Sequence, residues 1–273
     1  MIEVGINDLK SVISAVKEQY QYDFSEYALS SFKRRIERLI EIRHYSSVEE
    51  LVQQIRGLKL TKDEFLHEIT VNVTEMFRDP SFWRAAREFV SKIIQEQGRI
   101  RIWHAGCSSG EEVVSMLILL DEYNLLDKAE IVASDIDSAI LAKARAGKFS
   151  VRNMDLNEKN YQRYHQDGDI KKYFSYNTLT ADFDPKLLAR VSFREIDLVK
   201  AQPFNKFDLV LCRNVMIYFN QYLQNKVLKL FSDCMFKNAH LAIGSKESIA
   251  WCDIATNFQI VNAEEKVYKK IKE

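Results

Sequence analysis

Residues His104 to Glu112, HAGCSSGEE, follow the apolar alternation of RIRIW and precede the apolar run VVSMLILL. A buried strand that ends in two glycines and enters a helix through two acids leaves few folds open. Such a junction belongs at the carboxyl end of a strand in a parallel sheet, where ligands bind. Gly106 and Gly110 permit a tight turn and close backbone approach, and the following helix offers unpaired N–H groups at its start. The spacing is GxxxG and not the GxGxxG of dinucleotide-binding turns, and in isolation an ordinary strand-to-helix turn reads the same way.

The rest of the chain supplies the sheet. The strand-like segments RIRIWHA, AEIVASD, VSFREID, FDLVLCRN and HLAIGS alternate with helix-like EEVVSMLILLDEYN, SAILAKARAG and QYLQNKVLKLFSDCMF. That order implies right-handed crossovers and a mostly parallel sheet covered on both faces. NFQIV and KVYKKI read as paired antiparallel strands at an edge. Upstream the chain reads as helical. In ALSSFKRRIERLIEIRHYSS the set Leu29, Phe32, Ile36, Leu39, Ile40 forms one apolar stripe, with Lys33, Arg34, Arg35, Arg38 and Arg43 assigned to the opposite face. Ser46 or Ser47 can cap the next helix, and Thr61 with Glu64 makes a capping box. A further helix, SFWRAAREFVSKIIQEQG, enters after Pro80 and stops at Gly98. The expected organisation is α/β: an all-helical domain over 1–70, a junction and helix over 71–98, and a Rossmann-like domain over 99–273.

Lys plus Arg equals Asp plus Glu at 39 each, so no global field draws the protein to nucleic acid or an anionic membrane. Cys107, Cys212, Cys234 and Cys252 form no CxxC pair and have no His at zinc-ligand spacing, which argues against a metal and for reduced thiols. The amino terminus lacks a basic or apolar leader and no stretch suits a membrane span, so the expectation is a soluble cytoplasmic protein without membrane insertion.

The ligand class follows from charge. Asp135 ends the second strand, where an acid accepts hydrogen bonds from both ribose hydroxyls. A diphosphate would be repelled by Glu111 and Glu112. A ribose-bearing cofactor with a cationic end fits better, and S-adenosylmethionine carries an amino group and a sulfonium for a carboxylate of the Glu pair to meet. Glu112 is the residue assigned to the cofactor, and Glu111 is read as a helix cap.

NVTEMFRD, AGCSSGEE, ASDID, FDLVLCRNVMIYF and GSKES resemble, in order and spacing, the CheR family of chemotaxis receptor methyltransferases over nearly the whole chain. The resemblance implies a class I S-adenosylmethionine-dependent O-methyltransferase that esterifies protein glutamates and releases S-adenosylhomocysteine. It implies cofactor contacts at Asn72, Thr74, Arg78, Glu112, Asp135, Asp197, Leu198, Asn214 and Val215. It also implies a small antiparallel β subdomain in the long segment from about 149 to 193, which in some members grips a receptor-tail peptide. Asp197 departs from the Asn often found there, as do Val113, Val114, Met76 and GSKES from common family residues.

Transfer of a methyl group to an ionised carboxylate requires positioning and desolvation rather than a general base. Arg78 is the first choice for holding the substrate carboxylate and Tyr218 the second polar group over the methyl; their plain alternatives are a surface ion pair and a packed aromatic ring. Arg213 reads as a structural ion pair. The basic face with Arg34, Arg35 and Arg38 is the expected docking surface for the cytoplasmic part of a chemoreceptor or another signalling protein, its alternative a solvated helix face. A non-catalytic cofactor-binding module is the competing function. An amide or nucleic-acid N-methyltransferase is disfavoured because RNVMIYF lacks the paired prolines such enzymes place after this strand.

Overall fold

A computed structural model describes residues 3–70 and 73–272. Four helices come first: α1 (Ile6–Tyr20), α2 (Leu29–Ile42), α3 (Val48–Arg56) and α4 (Lys62–Ile69). Each buries one stripe, and α1 packs on α3 as α2 packs on α4 around Val12, Ile36, Leu39, Leu51, Ile55 and Phe65. The caps follow local chemistry. Ser47 accepts from the Glu50 N–H at 3.2 Å, and Thr61 and Glu64 close a reciprocal box.

α5 (Pro80–Gln97) ends at Gly98, whose φ of 78° provides the left-handed stop. Then come β1 (Ile100–Ala105), α6 (Glu111–Glu122), β2 (Ala129–Asp135), α7 (Ser138–Ala146), β3 (Lys148–Ser150) and α8 (Val151–Tyr164). β4 (Phe174–Tyr176), β5 (Thr180–Phe183), α9 (Pro185–Leu188), β6 (Val191–Glu195), β7 (Phe207–Cys212), α10 (Gln221–Asp233), β8 (Met235–Ile243), β9 (Phe258–Asn262) and β10 (Val267–Lys270) complete the chain.

The main sheet has the order β6-β2-β1-β7-β8-β10-β9. β6, β2, β1, β7 and β8 run parallel, and β7 is buried at every residue, as a strand covered on both faces must be. On β1, Ile100 and Ile102 face the core beneath α5 and α6, whereas Trp103 and Ala105 face the core shared with α10. The final antiparallel pair exists, but only β9 is the edge: β10 lies inside the sheet between β8 and β9. β3, β5 and β4 form a separate antiparallel sheet. The fold is therefore an all-helical domain followed by a Rossmann-like domain carrying a small antiparallel sheet.

From β1 the chain steps to β2 and then β6, and returns across the sheet to β7. The strand order reverses between β1 and β7, which opens a crevice at their carboxyl ends. The helical domain closes over this crevice. Ala28 donates its N–H to the Tyr218 carbonyl at 2.9 Å, Asn220 donates to Glu26 at 2.6 Å, and the Tyr27 and Phe219 rings meet edge-on. No helix among the described residues is long and apolar enough to cross a membrane.

Candidate active site

A cavity lies where the ends of β1, β2, β6 and β7 meet the helical domain. Thr74, Arg78, Gly106, Glu112, Asp135, Asp197, Leu198, Asn214, Val215 and Tyr218 all line it. Asn72 lies outside the described residues.

The glycine loop is shaped for close approach. Gly106 has φ +79°, and a Cβ there would come within 2.5 Å of a Val215 methyl carbon. Its N–H and that of Cys107 both donate to the Ser134 carbonyl at 2.8 Å. Gly106→Ala is therefore expected to cost about 1–3 kcal/mol of stability and to weaken nucleoside binding, checked by thermal melting and calorimetric titration. Asp135, at the tip of β2, accepts the Ser108 N–H on Oδ2 at 2.9 Å and the Asp137 N–H on Oδ1 at 3.1 Å. A carboxylate offers about four acceptor sites, so Asp135 has capacity left for a ligand hydroxyl. Burial raises the Asp135 carboxyl, with these N–H groups opposing the shift.

Asp197 follows β6. Its Oδ1 accepts the Val199 N–H at 2.9 Å, while Oδ2 is buried without a hydrogen-bond partner, and burial raises the carboxyl. That oxygen is 4.0 Å from Lys200 Nζ, an ion pair that leaves it open to a ligand hydrogen-bond donor. Asn214 adopts φ 63°, and its turn is stapled by the buried Glu247 of GSKES, which accepts the N–H groups of Gly244 at 2.5 Å, Asn214 at 2.9 Å and Ile217 at 3.1 Å. Glu247 was not singled out from sequence. Its place in the late motif now has a physical reason.

Glu112 and Glu111 have separate environments. Glu112 meets His104 Nδ1 at 2.9 Å and Arg213 Nη1 at 3.3 Å. Burial works to raise its carboxyl, but the His104 hydrogen bond and the Arg213 guanidinium outweigh it and hold the group below the usual range. Arg213 also binds Asp79 at 2.6 Å and lies 4.1 Å over the Phe82 ring, so it is the structural ion pair expected. Glu111 is the first residue of α6 and accepts the Ser109 hydroxyl at 2.7 Å. It does not line the cavity, and burial pushes its carboxyl from 4.5 up to about 7. A raised carboxyl binds its proton more tightly in the native state, so stability is lost as pH rises from 4.5 through 7. Glu111→Gln is expected to melt higher than wild type by roughly 1–3 kcal/mol equivalent above that window, with the difference vanishing below it.

One assignment from sequence needs correction. Arg34 and Arg38 are exposed, but Arg35 is half-buried and lines the cavity. It sits three residues after Phe32 and four before Leu39, which is a position on the apolar stripe rather than opposite it. Its Nε is buried without a partner. Arg78 makes one long contact, Nη1 to the Val73 carbonyl at 3.5 Å, and among the described residues neither Arg35 nor Arg78 has an ion pair. Both guanidiniums lie near Tyr218: burial raises its phenol, and the charges of Arg35, Arg78 and Arg34 only partly offset this. Tyr218 is thus a protonated donor at neutral pH.

The cavity lining therefore carries two kinds of charge: the acids Glu112, Asp135 and Asp197, and the guanidiniums of Arg35 and Arg78, which lie near Tyr218. A backbone cradle at Gly106 and acids suited to a ribose and an amino group fit S-adenosylmethionine. Among the described residues no cluster of three His, Cys, Asp or Glu side chains could hold a metal ion.

Comparison with known proteins agrees with this geometry. Residues 72–267 match the profile of the CheR methyltransferase SAM-binding domain, and residues 7–70 that of the CheR methyltransferase all-alpha domain. A Pseudomonas putida relative carrying the methyltransferase name Cher3 is 34% identical, covering 96% of each chain. A Listeria innocua chemotaxis protein methyltransferase is 31% identical, covering 86% of this chain and 87% of its own. Chemotaxis protein methyltransferase 1 of Pseudomonas aeruginosa is 30% identical over 82% of both. With both domains matched in order and the cavity lined by residues of the matching motifs, the chain belongs to the CheR methyltransferase family and is an S-adenosylmethionine-dependent methyltransferase of the chemotaxis type.

Proposed function

We propose that the protein methylates glutamate side chains on the cytoplasmic part of a chemoreceptor or a related signalling protein, forming glutamate methyl esters. The observation that supports this reading is the mixed charge of the cavity lining: guanidiniums of Arg35 and Arg78 without ion pairs among the described residues, together with the acids Glu112, Asp135 and Asp197. A carboxylate is drawn to the guanidiniums and repelled by the acids.

When bound, S-adenosylmethionine supplies an electrophilic methyl group. Glu112 would receive its amino group, Asp135 its ribose hydroxyls, and Asp197 with Leu198 its adenine. Arg78 would hold the substrate carboxylate through paired N–H donors and leave one oxygen lone pair free for the methyl. Tyr218 donates its hydroxyl to the same group, and the rings of Phe24, Tyr27 and Phe32 on the helical domain exclude water. No proton need be removed, because a glutamate is already ionised near pH 7. The test is labelled methyl transfer into proteins of the source cell. Methanol released by alkali marks an ester; tight cofactor binding without transfer would favour a binding module instead.

Arg34 and Arg38 are exposed on α2, the helix that carries Arg35, and are proposed to steer an acidic substrate helix. Reversing both to Glu is expected to lower kcat/KM by about tenfold or more at low ionic strength, with the gap narrowing as salt rises. Equal rates at all salt concentrations would remove this role.

A further inference from the structure

His104 is fully buried in β1, at a position whose alternation places it with Ile100 and Ile102 on the α5 and α6 side of the sheet. Its Nδ1 lies 2.9 Å from Glu112 Oε1. An ionised carboxylate only accepts, so the imidazole proton is on Nδ1 and the ring donates to Glu112. Its Nε2 is buried without a partner. A buried imidazole with one unsatisfied nitrogen is a costly residue for a strand interior, where an apolar side chain would pack without that cost. What the ring provides is on its Nδ1 side. The other Glu112 oxygen meets Arg213 Nη1 at 3.3 Å, and Arg213 is itself shared with Asp79 at 2.6 Å. The two donors fix both oxygens, one from β1 and one from the end of β7, and set the direction of the remaining lone pairs.

We infer that His104 is the positioning residue for the amino-acid end of the cofactor: it orients Glu112 so that the carboxylate meets the cofactor's amino group. The inference rests on the assignment of Glu112 to that group. It implies a selective energetic signature, because the nucleoside half is assigned to Asp135, Asp197 and the glycine loop, and among the described residues the hydrogen bond of the His104 ring is to Glu112.

Calorimetric titration of the full chain with two ligands tests it. S-adenosylhomocysteine carries the amino-acid end, and methylthioadenosine keeps the nucleoside and thioether without it. His104→Leu is expected to weaken S-adenosylhomocysteine by about tenfold or more and to leave methylthioadenosine unchanged, with His104→Asn, which keeps a donor, restoring much of the loss. Should the Leu variant not fold, His104→Ser, too short to reach Glu112, serves the same comparison. An equal loss for both ligands would mark a merely structural role and overturn the inference, as would unchanged S-adenosylhomocysteine affinity. Glu112→Gln separates the two levels. If that variant shows the selective loss and His104→Leu does not, His104 alone has been misassigned; if Glu112→Gln shows none, the Glu112 assignment fails and takes the inference with it.

Discussion

Arg78→Ala is expected to lower kcat for the protein substrate by about 10²- to 10³-fold while changing S-adenosylhomocysteine affinity by no more than a few-fold. The guanidinium faces the cavity with a single 3.5 Å contact to the Val73 carbonyl, so its removal breaks little of the fold. On the proposed mechanism, it removes the group that orders the attacking carboxylate. The cofactor has a carboxylate of its own, and the same measurement separates the two partners. If Arg78 served the cofactor carboxylate, affinity for S-adenosylhomocysteine would fall and turnover at saturating methyl donor would survive. Arg78→Lys keeps the charge but loses the paired donors, and is expected to recover only part of the rate.

Glu112→Ala acts on the acidic part of the cavity lining and on the fold itself. The side chain of Arg213 is 3% exposed and that of His104 is 0% exposed, and both lose an anionic partner at once. A buried cation stripped of one of its two carboxylates costs about 3 kcal/mol, so the melting temperature is expected to drop clearly. Cofactor affinity should fall by about 10²-fold or more, because the amino group loses its acceptor and Arg213 is left facing a cationic ligand. Glu112→Gln keeps the shape and should separate the effects: a small stability loss with a large affinity loss. A Glu112→Ala variant that binds S-adenosylhomocysteine as wild type does would show that this acid serves Arg213 alone.

Much of the cavity was legible because it is built from strand ends and short motifs. β1, β2, β6 and β7 have continuous or alternating apolar runs, and the residues at or just past their ends, Gly106, Asp135, Asp197 and Asn214, meet once the strands are laid parallel. What could not be read follows from longer connections. α8 was missed because its buried stripe, Met154, Asn157, Asn160, Tyr161 and Tyr164, has helical spacing but polar members. Asn157 accepts the Met76 N–H at 3.0 Å, and Asn160 donates to Glu75 at 3.0 Å. These asparagines hold the NVTEMFR segment in place rather than filling a core.

Arg35 was misplaced by residue type, since an arginine next to Arg34 and Arg38 suggests a solvated face although its spacing from Phe32 puts it inward. The pairing of His104 with Glu112 depends on how the glycine turn returns α6 against β1, and no periodicity reports it. A His at an inward position of a buried strand was the available signal. β8 begins at Met235, earlier than HLAIGS suggests, because exposed Phe236, Lys237 and Asn238 interrupt the apolar pattern that marks its core half.

The central claim is that the acceptor is a carboxylate held at the guanidiniums of the cavity. Mass spectrometric mapping of the methyl group on the protein substrate, after reaction with labelled S-adenosylmethionine, tests it most directly. The expected result is the label on glutamate side chains, lost on mild alkali and absent from the Arg78→Ala reaction. A label on a lysine, arginine or amide nitrogen, stable to alkali, would contradict it.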